Sequence, residues 1–591
     1  MTTIPVTAGA TGGAERHAEG ELVLRVLSAL LREDVVGLRT RSTEADRADG
    51  SWLRLETPGP DALLLPVRGD GFQCERAARL PLLRRESTGR DLATCDEIIA
   101  VLRELAPDED RPGFDAFADE CRQALATVRL HADSHEQVLG ALSARHGADP
   151  AHWTGLAGSL AHDTLAARRD HPVHPTGRGR SGLSSAALRA YAPEFHPRFA
   201  LRWLVLPRDV VTVRGRLPFP TPASLGLPWL GGTGHLALPV HPLTAEGPLG
   251  DALRTAGLDR RAVLAEQPCL DVVPTLSMRT VALADAPETH LKLPLATSSL
   301  GRLNRRTIKP GTLADGAAVQ RLVESVIARE PRFQGSVLHA DETGYAHADH
   351  ELVAVLVRRW PTGLDGAVVV PLAALLSTAP GGRPVLDHLA GRFYGGDRLA
   401  LLDAALSLLI DWATTLIGYG VALESHQQNV SLALDVHAGR PRIRLLFKDN
   451  DGPRINRVRL GAALGESAPL PSEFDDPRIV CDGDRPVVAL FTTITVHLCA
   501  AAYAFELDRL GHLPLDALLG LIRTRLAEAA ERLGTRPGEA GAVLREHVLD
   551  AAELPVKAMV TAGTLLSKAR SGASDINKHY TTGPNYLLRG V

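Results

Sequence analysis

No C-x-x-C pair occurs in this chain, and its six cysteines, at positions 74, 95, 121, 269, 481 and 499, are scattered singly. There is no disulfide framework to read, and buried, reduced thiols are expected. A large excess of charge of either sign is missing too. A net charge of −4 gives no global field for nucleic acid or a membrane surface, although 65 lysines and arginines leave room for a local basic pocket. No signal-peptide pattern is read at the N-terminus, so a cytoplasmic protein is expected. Aromatic residues are only 4%, yet 45% of the chain is apolar, ample for cores. The two most apolar stretches, Leu401–Ile417 and Val487–Ala504, carry Asp, His or many small polar residues and read as core helices, not membrane spans.

At 591 residues the chain is too long for one core, and no repeat or low-complexity linker marks the joints. Its texture divides into a mostly helical part (1–150), a strand-rich part (151–370) and a mixed part (371–591), an α+β pattern. Met1–Gly20 lacks periodicity and is expected to be a mobile tail. A helix is expected over Glu21–Arg32, then strands near Trp52–Leu55 and Ala62–Arg68. Further helices are expected over Cys95–Leu105, Phe114–Leu130, Glu136–His146 after a cap signal at Asp133/Ser134, and His152–Ala167. Strand runs follow at Leu201–Leu206, His235–Val240, Leu352–Val357 and Val368–Val370. Long helical runs return at Arg398–Ile417 and Leu518–Arg532.

Three stretches carry the chemistry. In His171–Ser184 (H-P-V-H-P-T-G-R-G-R-S-G-L-S), prolines and glycines forbid a regular element and leave His171, His174, Arg178 and Arg180 in a loop. Two guanidiniums there suit phosphate, being planar, permanently charged and bidentate. S-M-R-T (Ser277–Thr280) and T-H-L-K-L-P-L-A-T-S-S-L-G-R (Thr289–Arg302) look like adjacent strands. They would carry Arg279 and Lys292 on their faces, with Ser298, Ser299 and Arg302 in the turn after them. Inward cations are costly unless an anion meets them. Finally, Gly418–Arg454 reads as a hairpin whose open end sets Glu424, His426, Gln428 and Asn429 beside Lys448, Asp449 and Asp451. That would gather acceptors for hydrated Mg²⁺ and donors for anionic oxygens.

The order of these motifs, with P-V-H-P (Pro239–Pro242), V-K-A after Pro555 and N-x-L near the end, is similar to the NRPS-independent siderophore synthetases, the aerobactin synthetase-like (IucA/IucC) family, over Leu160–Leu588. The resemblance implies a hand-like fold: thumb (1–150), fingers (151–370) and palm (371–591). It also implies a homodimer in which ATP activates a carboxylate of citrate or a related polycarboxylic acid as an acyl adenylate, which an amine or alcohol then attacks. Carried over by residue, His171, Arg178, Ser277, Arg279, Lys292, Gln428 and Asn429 would hold ATP. Ser298, Arg302, His426 and Lys448 would hold substrate, and Lys292, Arg302, His426 and Arg279 would act in catalysis. Asp449 and Glu424 would hold Mg²⁺. The family usually has Lys at Arg178, Arg at Lys448, Trp-Gln at Leu243–Thr244 and Gly at Gln427, so charge is kept while shape changes.

Two other readings differ in products. A kinase-like phosphotransferase fits H-Q-Q-N followed by D-N-D but lacks the catalytic Asp between His426 and Asn429, and would yield ADP. A non-catalytic nucleotide or carboxylate binder would yield neither AMP nor ADP.

Overall fold

The computed structural model describes residues 9–232, 234–465, 469, 471–571 and 579–589. Strands gather in separate, mainly antiparallel sheets, and helices pack around them without regular βαβ alternation, so the α+β expectation holds. The first sheet, six strands within residues 42–92, was legible only at Gly50–Glu56 and Ala62–Gly69. Its short partners Arg76–Ala78, Leu83–Arg85 and Asp91–Leu92 are too brief for a periodic signal. The N-terminal part is thus less purely helical than expected.

A nine-stranded antiparallel sheet fills the middle, with Thr280–Leu283, Ala286–Lys292, Val353–Arg359 and Asp341–His350 as consecutive neighbours. A four-stranded sheet follows, in the order Val337–His339, Arg440–Phe447, Val430–His437, Val368–Pro371. Three apolar cores match these parts loosely. The largest takes in Val138–Val173 and Ala318–Val337 as well as the C-terminal helices, and Val560 and Leu565 join the N-terminal core. Packing therefore crosses the divisions at 150 and 370.

Several local expectations shift. The helix Gly9–Arg32 runs through most of the stretch expected to be a tail, and the rest of that stretch, 1–8, lies outside the described residues. Ser134 gives no side-chain cap to His135–His146; its hydroxyl bonds back to the Leu130 carbonyl at 2.8 Å. The helix Arg398–Gly418 and the helical run Arg485–Arg509 are long and apolar enough to cross a membrane, but 67% and 94% of their apolar windows are buried inside the protein. They pack as core helices.

Burial holds many histidines neutral. His131 is pushed down to about 2, His174, His241 and His339 to about 3, and His162, His196, His426 and His497 to about 4. A histidine depressed in the fold binds more protons when unfolded, so stability is full above about pH 6.5 and is lost as pH falls towards 4. The unfolding midpoint should therefore drop steeply between pH 6.5 and 4. A midpoint flat across that window, measured by circular dichroism, would contradict the burial of these rings.

Candidate active site

The hairpin Val430–His437/Arg440–Phe447 is closed by Ala438 and Gly439, both at positive φ (49° and 75°). That is the two-residue turn whose twist matches the strands. Eight paired positions, from Val430↔Phe447 to His437↔Arg440, fix the register. At the open end the Lys448 N–H donates to the Asn429 carbonyl at 3.1 Å. The hairpin thus brings Glu424–Asn429 beside Lys448–Asp451. Asp449 adopts φ 56°, a left-handed conformation that costs on the order of 1 kcal/mol. Both carboxylate oxygens of Glu342 accept its N–H at 3.1 Å.

The facing wall comes from three neighbouring strands. Lys292 sits opposite Leu356, and His290 opposite Arg358, so Lys292 and Arg358 are diagonal neighbours on one face. A register shift between Asp341 and Gly344 re-aims Glu342 onto Arg358. Lys292 Nζ lies 2.7 Å from Asp449 Oδ1 and 3.2 Å from Asp451 Oδ2, and an Arg358 terminal nitrogen lies 2.9 Å from Asp449 Oδ1. Lys292, Arg358, Glu342 and Lys448 are at most 6% exposed. Burial alone would raise Asp449, but Arg358 and Lys292 hold it well below the usual carboxylate range. Burial raises Glu342 despite Arg358, so Asp449 carries the firmer negative charge.

Arg279 is in the turn before Thr280–Leu283, not on a strand face, and the preceding Met278 has φ 62°. It donates to the Thr307 carbonyl at 2.6 Å, and burial lowers its pKa against the pull of Asp449 and Asp451. Arg306 joins it. Burial, then Arg279 and Arg180, drive the Arg306 pKa well below its ordinary value, and this side chain forms no ion pair among the described residues. Two crowded guanidiniums beside one carboxylate-bearing loop form a receptor for polyanionic oxygen.

The other expected residues divide. Arg302 stays outside: its side chain is exposed, its N–H donates to Thr564 Oγ1 at 3.3 Å, and its electrostatic neighbour is Glu120. Gly301 (φ 107°) forces this, because a Cβ there would meet Gly563 at 2.8 Å, so the turn lies against the C-terminal segment. Ser298 is buried in a bridge to Arg305, and Ser277 Oγ accepts the Thr280 N–H at 3.1 Å, bracing the turn that carries Arg279. His171 is held neutral by burial, has His426 as an electrostatic neighbour, and accepts the His174 N–H on Nδ1 at 3.0 Å. Arg178 is paired with Asp170 at 2.9 Å and Arg180 with Glu194 at 3.3 Å, so neither is an uncommitted phosphate clamp. Burial holds His426 to about 4, hence neutral. Asn429 Nδ2 donates to the Glu424 carbonyl at 3.0 Å, and Gln428 is half-buried. Burial lowers the Lys448 pKa, with Asp163 its nearest opposing charge.

Arg358, Glu342 and Arg306 went unnoticed in the sequence. An arginine pair closing the apolar run Val353–Arg359 was a usable signal for Arg358, whereas Glu342 depends on a bulge that no pattern announces.

Among the described residues no group of three or more His, Cys, Asp or Glu gathers for a metal. Mg²⁺ needs only one or two carboxylates beside phosphate oxygens and water. A Cβ on Gly452 would sit 3.2 Å from Glu424 Oε2, so Glu424 borders the loop that carries Asp451, 35% exposed at its side chain. That all-oxygen pair fits Mg²⁺. Asp449 is already committed to Lys292 and Arg358.

Residues 163–377 match the IucA / IucC family. Over that stretch, a little over a third of its length, the chain is similar to that family. Residues 400–570 match a second family, the ferric iron reductase FhuF-like transporters, and the two cysteines there each approach a backbone carbonyl, Cys481 that of Ile455 and Cys499 that of Ser425. Among relatives, the uncharacterized protein y4xN of Sinorhizobium fredii is 26% identical over 63% of this chain and 64% of its own length, just under two thirds. Staphyloferrin B synthase of Staphylococcus aureus is 22% identical over 72% of this chain and 76% of its own. D-ornithine–citrate ligase of the same organism is 22% identical over 80% and 78%. The ATP-bound aerobactin synthetase IucA of Klebsiella pneumoniae shares the fold, with a TM-score of 0.70 at 18% identity over 96% of this chain and 99% of that one.

Proposed function

We propose that this chain is an ATP-dependent ligase of the IucA / IucC type that adenylates a carboxylate of citrate or a related polycarboxylic acid and condenses it with an amine or alcohol in siderophore-type biosynthesis. The observation that carries the reading is the buried charge cluster: Lys292 and Arg358 fixed on Asp449, with Arg279 beside them and Arg306, which forms no ion pair among the described residues. Polycarboxylate and triphosphate together supply the anions such a cluster requires. The names of the relatives, a citrate ligase and a staphyloferrin synthase, support the same chemistry.

In the first step a carboxylate oxygen attacks the α-phosphorus, the bond to the β-phosphate oxygen breaks, and pyrophosphate leaves. In the second the amine or hydroxyl attacks the acyl carbon, loses its proton, and AMP departs. Both steps move negative charge onto phosphate oxygens, so preorganised cations outweigh any nucleophilic side chain. Lys292, Arg279 and Arg306 provide that charge, and Asp449 sets the position of Lys292. Neutral His426 and His171 offer a hydrogen bond or accept the nucleophile's proton without adding charge. Bound Mg²⁺, held by Glu424 and Asp451, would neutralise phosphate charge. The cytoplasmic homodimer implied by the sequence belongs to the same proposal.

The test is product analysis with citrate and a panel of diamines and amino acids. AMP and pyrophosphate are expected, ADP would move the chain to phosphotransfer, and no nucleotide turnover would leave a binder. Asp451→Asn should raise the Mg²⁺ concentration for half-maximal activity several-fold, while Asp449→Asn should lower turnover at saturating Mg²⁺. The opposite ranking in a Mg²⁺ titration would return the metal to Asp449.

A further inference from the structure

A cavity of about 950 Å³ lies beside the cluster around Asp449, not within it. The helix Gly9–Arg32 and the strands Ala62–Gly69 and Arg76–Ala78 face the His171 loop and the helix Ala502–Arg509 across it. Lys292, Arg279, Arg306 and Asp449 do not line it, whereas His171, Arg178 and Gln427 do. It therefore borders the catalytic loops without containing the nucleotide cluster.

Nine arginines and five carboxylates line this space. Two of the carboxylates are each shared by two arginines: Asp170 pairs with Arg25 (3.6 Å) and Arg178 (2.9 Å), and Glu506 with Arg169 (3.4 Å) and Arg509 (2.8 Å). Arg79 pairs with Asp49 (3.4 Å), while Arg32 and Arg168 bond only to neutral groups. Arg32, 8% exposed, donates to the Val173 carbonyl at 2.6 Å, and its Nε is buried with no partner. Arg168 bonds to the Glu194 carbonyl at 3.0 Å, to the His131 carbonyl and to the Ser134 hydroxyl. His131 is 3% exposed and its Nε2 is unpartnered. The Arg178 guanidinium reaches His131 Nδ1 at 3.5 Å, which assigns the ring proton to Nε2 and leaves a buried donor on the cavity wall. Unmatched cations and an orphaned donor in a space this size describe a receptor for an anionic small molecule.

We propose that this cavity binds a small organic molecule carrying two or more carboxylates, separately from the nucleotide cluster. The molecule is either the carboxylated acceptor on its way to the acyl adenylate or a released polycarboxylate acting as an effector; the recognition chemistry is the same. Arg68 and Arg79 stand on the wall formed by the N-terminal strands, away from the catalytic loops.

The test uses the full chain saturated with ATP and titrates citrate by calorimetry. Wild type should show a citrate-binding event that weakens about 10- to 100-fold in Arg68→Gln/Arg79→Gln, the scale of losing charged hydrogen bonds. ATP–pyrophosphate exchange and the melting temperature should stay unchanged. Identical citrate isotherms in the two proteins would overturn the proposal, as would loss of exchange in the variant, which would merge the cavity with the adenylation site. If wild type shows no exchange at all, the ligase reading fails while the citrate comparison still stands. A raised KM for amine-bearing dicarboxylates in the variant identifies the acceptor; relief of citrate inhibition identifies the effector.

Discussion

Arg306→Ala should lower ATP–pyrophosphate exchange by about 10²- to 10³-fold, the usual loss when a preorganised donor to developing negative charge is removed. Arg302→Ala should stay within about threefold of wild type. The contrast is sharp because both residues follow Lys292 in the same loop and only one reaches the cluster. Arg306 is crowded by Arg279 and Arg180 and feels Asp449 and Asp451, whereas Arg302 is exposed beside Glu120 and Thr564. Lys292→Ala should behave like Arg306→Ala, since it removes the ammonium held on Asp449. If Arg302→Ala is the severe variant, the loop reorganises around substrate and the placement of Arg306 is wrong.

This pair also marks how far sequence reaches. The hairpin was legible because its alternation, its Ala438–Gly439 turn and its polar open end all agree, and its register then places Asn429 against Lys448 without further information. The residues Thr289–Arg302 pointed to the strand and to the inward-facing position of Lys292. They could not say which of three arginines in Arg302–Arg306 turns inward, because that depends on Gly301 pressing against Gly563, some 260 residues away in the chain. Arg178 and Arg180 read as a phosphate loop for the same reason: the carboxylates that occupy them, Asp170 and Glu194, are brought in by packing and not by spacing. Cations are easy to read in a sequence, but whether each is already neutralised is a property of the fold.

The second large effect concerns stability. Arg358→Met should destabilise the protein by roughly 3–5 kcal/mol, because Arg358, 1% exposed, is bonded to Glu342 and paired with Asp449, and its loss leaves buried negative charge uncompensated. A hydrophobic side chain of similar length limits any cavity contribution, so the effect reads electrostatics more than packing. The charge argument makes a further demand. Adding Glu342→Gln to Arg358→Met removes one of the stranded carboxylates, so the double variant should recover part of the loss and unfold at higher denaturant than Arg358→Met alone. The recovery should be partial, since Asp449 remains buried beside Lys292 and keeps the left-handed backbone that Glu342 stabilises. Additive losses in the double-mutant cycle, measured by urea unfolding, would mean that Arg358 acts through packing and that the cluster is not held together by charge.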